Sequence, residues 1–192
     1  MKKLFGCICL AAITLTGCQQ KMTVSSPDNV LAVSFRLGAD GAPEYKVARK
    51  GAPMLDWSAL GLVLADKDLS RDFTLLGTDT DSFDETWETV WGEERYIRNH
   101  YCELTAHLLH QSGTEMDVVF RVFDDGFAFR YVFPSNADSM IVMDEKTEYQ
   151  FVSEPQAWSI PWRTEYYEAL WTREPISRKD TTCSPITLEL AE

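Results

Sequence analysis

The chain has 192 residues, of which 45% are hydrophobic, 12% aromatic and 25% charged, a composition for a folded domain with a substantial core rather than for a disordered segment. With 30 acidic residues against 18 basic ones the net charge is -12, which excludes nucleic acid as a partner because phosphates need Lys and Arg. Neutral or cationic ligands, sugars and calcium among them, remain compatible with it.

Lys2 and Lys3 precede an apolar run, residues 4–15, that is too short to span a bilayer as a mature helix. The run ends in Leu15-Thr16-Gly17-Cys18, which resembles the bacterial lipoprotein box. That resemblance implies cleavage before Cys18, lipid modification of Cys18 and export. Gln19 in place of Asp implies an anchor in the outer membrane, facing the periplasm. Residues 1–17 are therefore expected as signal peptide, 18–24 as tether and 25–192 as the folded domain. Cleavage would remove Cys7 and Cys9. Cys102 and Cys183 then remain for a disulfide, and one distant pair is not a disulfide framework. Cys102 falls in an aromatic-flanked strand and reads as a buried free thiol. His100, His107 and His110 are spaced too irregularly for a metal motif, and no Cys/His spacing suggests zinc.

Ser25-Ser26-Pro27-Asp28-Asn29 is a turn cluster, and residues 30–37 alternate as a strand whose Leu31, Val33, Phe35 and Leu37 face is expected to be buried. A second strand follows at 44–49, and Lys50-Gly51 turns the chain again. Residues 53–64 are predicted as a bend entering a strand at 60–64. Residues 66–81 are polar, anchored by Phe73, Leu75 and Leu76, and are predicted as one short strand between loops. Residues 96–109 alternate long enough for a strand.

The strongest local signal is 118–134, where apolar and aromatic residues alternate on both sides of Asp124-Asp125-Gly126. Asp-Gly between two such runs predicts a hairpin with Asp125-Gly126 in a type I′ turn. That register sets Val122 opposite Phe129, Phe120 opposite Tyr131 and Val118 opposite Phe133. It also sets Arg121 opposite Arg130, so carboxylates are expected on that face to offset the repulsion.

Residues 140–151 are predicted as one long strand or a strand pair. Residues 155–171 are crowded with Trp158, Trp162, Tyr166, Tyr167 and Trp171, and Pro161, Pro175 and Pro185 exclude a long helix. The fold class is therefore all-β, with short antiparallel strands packed as a sandwich. Residues 185–190, close to the end of the sequence, read as an unfinished strand of a truncated domain.

Several motifs succeed one another in order: Ser26-Pro27-Asp28-Asn29, Ser58-Ala59-Leu60-Gly61-Leu62, Asp84-Glu85-Thr86-Trp87, Trp91-Gly92-Glu93-Glu94, Ile97-Arg98-Asn99-His100-Tyr101 and Phe120-Arg121-Val122-Phe123-Asp124-Asp125-Gly126. Together they resemble the N-terminal domain of glycoside hydrolase family 97, the bacterial α-glucosidase and α-galactosidase family. The resemblance implies an antiparallel β-super-sandwich of the galactose mutarotase-like kind, incomplete here at its C-terminal end. It also implies a catalytic (β/α)8 barrel that this chain lacks. Family members act on α-linked oligosaccharides with calcium at the active site, and their catalytic carboxylates belong to the barrel. No catalytic residue is expected here, and the chain alone is expected to be inactive. One contribution is implied for this domain: a glutamate that reaches the calcium. In the matching Tyr167-Glu168 pair, followed by Pro175-Ile176-Ser177, that ligand is Glu168, with Glu165 as the near alternative. A free-standing carbohydrate-binding lipoprotein and a gene fragment without function are the alternative readings.

The remaining polar and aromatic residues have plainer explanations. Trp87, Trp91, Trp158, Trp162 and Trp171 are expected to pack in the core or between domains rather than stack on sugars. Trp158 and Trp162 are expected to face the barrel. Glu93 and Glu94 are neighbours whose side chains would leave a strand on opposite faces, so they cannot flank one glycosidic bond. One of them, or Glu103, is expected near Arg121 and Arg130. His100 is expected to be a hydrogen-bonded strand histidine.

Overall fold

The computed structural model describes residues 22–134, 139–163, 165 and 168–190; Cys18, the signal segment, Tyr166 and Tyr167 lie outside them. Four antiparallel strands, β1 (Thr23–Ser25), β2 (Leu31–Leu37), β3 (Pro43–Arg49) and β4 (Ala52–Ala59), form the first sheet in sequential order. Their connections follow from local chemistry. In the first, Ser26 Oγ accepts from the Val30 and Leu31 amides and donates to Asp28. Asp28 accepts from Val30 at 2.9 Å, and its carboxyl lies below the usual range, chiefly through the Ser26 hydrogen bond. Lys50 and Gly51 both have positive φ, 51° and 80°, the two-residue turn that the right-handed strand twist favours.

Two short strands, β5 (Leu62–Leu64) and β6 (Asp68–Leu69), lead into β7 (Phe73–Glu88). The second large sheet has the order β10-β9-β8-β7, with β8 (Tyr96–His110), β9 (Glu115–Val122) and β10 (Phe127–Val132). The strand β11 (Val142–Glu145) joins β5 and β6 in a third sheet. A last small sheet, order β13-β12-β14, holds β12 (Gln156–Ser159), β13 (Thr172–Pro175) and β14 (Thr187–Glu189), with a 3-10 turn at Ile176–Arg178. The described residues contain no α-helix, so the all-β expectation holds.

The two large sheets bury one face each. Leu31, Val33, Phe35, Tyr45 and Val47 meet Leu104, Ala106, Leu108, Met116, Val118, Phe120 and Val122. Phe120 and Tyr45 are fully buried at the centre, with the Phe120 ring 6.0 Å from Phe35, 6.2 Å from Tyr45 and 6.1 Å from Phe129. The Tyr45 hydroxyl donates to the Glu148 carbonyl at 2.8 Å, and burial pushes the phenol well above its ordinary pKa. Glu148 lies on a strap that follows β11. Its backbone alternates hydrogen bonds with β4 and the residues just after it: Lys146 N to Gly61 O, Glu148 N to Ala59 O, Asp56 N to Gln150 O and Val152 N to Met54 O. Gly61 is a junction. Its φ is +145°, its N–H donates to Tyr131 Oη at 2.9 Å, and a Cβ there would meet Ser70 Cα at 2.6 Å.

Several expectations change. Residues 52–59 form a strand, not a bend, and 73–88 form one long strand where a short one was predicted, because β8 extends along its whole length. The hairpin exists, but its register is shifted: Val122 pairs with Phe127, Phe120 with Phe129 and Val118 with Tyr131. Phe123 N donates to Gly126 O at 2.8 Å, and neither Asp125 nor Gly126 has positive φ, so the loop runs over residues 123–126 and is not a type I′ turn. Packing decides this. The shifted register brings both Phe127 and Phe129 to 6.0 Å from Tyr45, while Asp124 accepts from the Asp28 amide across the sandwich at 2.9 Å. Arg121 therefore faces Ala128, and Arg130 faces Val119.

Phe120→Ala should lower unfolding free energy by about 3–5 kcal/mol in urea titrations, because the cavity would lie between two sheets that cannot close over it. Gly61→Ala should cost about 1–3 kcal/mol through its backbone conformation, on top of the clash with Ser70. A loss below a few tenths in either would contradict this packing.

Candidate functional site

Glu168 lies in the connection between β12 and β13 and is exposed, as are Glu165, Trp162 and Trp171 near it in sequence. Among the described residues no group of three or more His, Cys, Asp or Glu side chains converges as a metal site. Glu168 is a hard oxygen donor on an exposed side chain, and calcium takes six to eight oxygen ligands. Its predicted neighbour Tyr167 lies outside the described residues.

The sheet below this connection is organised by alternation. Ala157 and Ser159 are fully buried, while Trp158, between them, turns outward. Trp158 pairs in register with Arg173 on β13 and Thr187 on β14. Its indole N–H donates to Glu189 Oε1 at 2.7 Å, and Arg173 donates to Glu189 Oε2 through both Nε and Nη2, at 3.0 and 2.6 Å. These bonds, Arg173 foremost, hold the Glu189 carboxyl below the usual range. The result is a flat, half-exposed indole braced by an ion pair. Lys179 ties the same region together, donating to Thr172 Oγ1 at 2.6 Å and pairing with Glu174 at 2.9 Å. Trp158 was legible in sequence, but the assembly of Arg173 and Glu189 around it was not, since it joins three strands separated by loops.

The tryptophans do not enter the core. Trp87, Trp91, Trp158, Trp162 and Trp171 are all exposed, because they fall on outward positions or in loops. Trp91 sits in the turn joining β7 to β8, as do Glu93 and Glu94, which do not approach Arg121. Glu103 does: Arg121 Nε donates to it at 2.7 Å across neighbouring strands, with the guanidinium 4.4 Å above the Tyr101 ring. This cluster lies on the outer face of the sheet, not inside the sandwich, since Phe120 and Val122 take the inward positions.

His100 also departs from expectation. Its buried Nδ1 has no hydrogen-bond partner and stands 3.8 Å from Asp124 Oδ2. Arg98 beside it pairs with Asp84 through two bonds, at 2.8 and 2.7 Å, which lower the Asp84 carboxyl. Cys102 and Cys183 are both free, and Cys102 is half-buried.

Residues 24–192 match the family model described as Glycosyl-hydrolase 97 N-terminal. The chain is 30% identical over 162 residues to a probable retaining alpha-galactosidase of Streptomyces bingchenggensis, covering 83% of this chain and 25% of that protein. It is 28% identical to a retaining alpha-galactosidase of Bacteroides thetaiotaomicron, covering 84% and 24%. Among solved structures, a glycoside hydrolase family 97 enzyme from Pseudoalteromonas sp. strain K8 in complex with panose superposes with a TM-score of 0.81 at 26% identity, covering 87% of this chain and 26% of that one. The chain thus spans about a quarter of the length of these relatives. By sequence and by fold together, the chain belongs to glycoside hydrolase family 97, as its N-terminal β-sandwich domain.

Proposed function

We propose that this chain is the non-catalytic N-terminal part of an exported, lipid-anchored α-glycosidase acting on α-glucosides or α-galactosides. The family match over 24–192 carries the reading. Relatives named as alpha-galactosidases and structures of a relative with panose or acarbose support the substrate class. In such hydrolysis a general acid protonates the leaving oxygen, and a second carboxylate acts as nucleophile or activates water. Exposed Asp84 and Glu189 are engaged by arginines. The domain's role is to support and border an active site built on the barrel.

Glu168 supplies one oxygen ligand to the calcium of that site. Its exposure on an outward connection supports this, and calcium, when bound there, would polarise the substrate's oxygens. Exposed Trp158, Trp162 and Trp171 offer apolar surface for contact with the barrel, which would account for their exposure here. Cys18, in its lipoprotein box, anchors the protein to the outer membrane on the periplasmic side.

The chain by itself should release no p-nitrophenol from p-nitrophenyl α-glucoside or α-galactoside; measurable turnover would overturn the non-catalytic assignment. Calorimetry should show weak or no calcium binding to the chain alone, since one carboxylate is not a calcium site. In a polypeptide extended through a family barrel, Glu168→Gln should weaken calcium binding. Unchanged affinity in that variant would remove Glu168 from the ligand set.

A further inference from the structure

Strand β7 is an edge strand, with β8 as its one partner in the sheet order. Its pairing slips at a bulge between Leu75 and Gly77, where the ladder is locally interrupted. Just beyond the bulge, three side chains on three successive strands line up on the outward face. His107 of β8 lies opposite Asp117 of β9 and opposite Gly77 of β7. Its Nδ1 is 2.8 Å from Asp117 Oδ1, and its Nε2 is 3.1 Å from Asp79 Oδ2. A neutral imidazole has one N–H and can donate to one of these carboxylates; the imidazolium donates to both.

We propose that Asp79, His107 and Asp117 form a proton-dependent latch, which ties edge strand β7 to β9 across β8 while the imidazole carries both protons and loosens β7 locally when it loses one. The two arms are unequal. The Asp117 side chain is 15% exposed and the Asp79 side chain 86% exposed, so Asp117 is the fixed anchor and Asp79 the solvent-screened one. The ring therefore keeps the proton on Nδ1 and gives up the one on Nε2 to solvent. A lone pair on Nε2 then faces a carboxylate oxygen at 3.1 Å, and the contact turns repulsive. Among the described residues, the charged groups facing the ring are Asp79 from β7 and Asp117 from β9, with Glu115 of β9 lining the same shallow hollow beside Leu76 and Gly77. All are acidic. Asp117 above all holds the imidazole above the ordinary histidine pKa, with partial burial opposing it. A folded-state pKa above the unfolded one means that the latch contributes fully below the ordinary histidine value, and that the contribution is lost as pH rises through the higher folded value.

Hydrogen exchange of the chain's amides, corrected for the intrinsic pH dependence, tests the latch alongside an NMR titration of the His107 ring. Protection in residues 73–81 should fall about threefold through the midpoint of the His107 titration. The ladder between β8 and β9 should hold. Both His107→Gln and Asp79→Asn should abolish the step: the first has no titrating ring, and the second can donate its amide to the neutral nitrogen. Asp79→Asn, at an exposed side chain, reads the same step should His107→Gln fail to fold. Flat β7 protection in the unaltered chain while His107 titrates, or a step that persists in Asp79→Asn, would overturn the latch.

Discussion

The contact on which the structure depends is the burial of Phe120 between Phe35, Tyr45 and Phe129. It joins the first sheet to the second at their centres, with ring separations in the range where tilted aromatic pairs gain energy beyond their area. Other features follow from it. Because Tyr45 must point inward, its hydroxyl needs a buried acceptor, and the Glu148 carbonyl provides one. That bond fixes the strap after β11 along β4. The strap in turn reaches Gly61, whose amide is taken by Tyr131 from the other sheet. One aromatic cluster thus sets the register of the hairpin, the path of the strap and the place of the third sheet.

The same alternation that fills the interior determines what the exterior can do. Inward positions carry Phe, Leu, Val and Tyr, and outward ones carry ion pairs and tryptophans. Glu103–Arg121 and Asp84–Arg98 each bridge neighbouring strands, and Arg173–Glu189 spans from β13 to β14 across β12, all on exposed or half-exposed faces where such pairs add little stability but orient what lies beside them. Trp158, braced by Arg173 and Glu189, and Trp162 and Trp171 all remain exposed. The His107 cluster belongs to a different part of the molecule, on the outer face of β7 to β9, and is a property of this sheet alone.

The sequence by itself determined the fold class, the buried face of β2, the Lys50-Gly51 turn, the hairpin around Asp124 and the family. Each rests on period-two patterning, on turn residues with fixed conformational preferences, or on motifs in order along the chain. The hairpin's register was beyond it. Asp125-Gly126 favours a tight turn locally, yet two inward phenylalanines gain more against Tyr45 than the turn gains from its preferred geometry, and Asp124 is drawn to Asp28. The length of β7 was also hidden, because its acidic outer half reads as loop until β8 is known to run beside it. Exposure of the tryptophans, the bracing of Trp158 and the clamp on His107 all depend on which strands become neighbours. Long-range pairing is a tertiary property, and it alone decides whether a residue seen in the sequence meets a carboxylate, an aromatic ring or solvent.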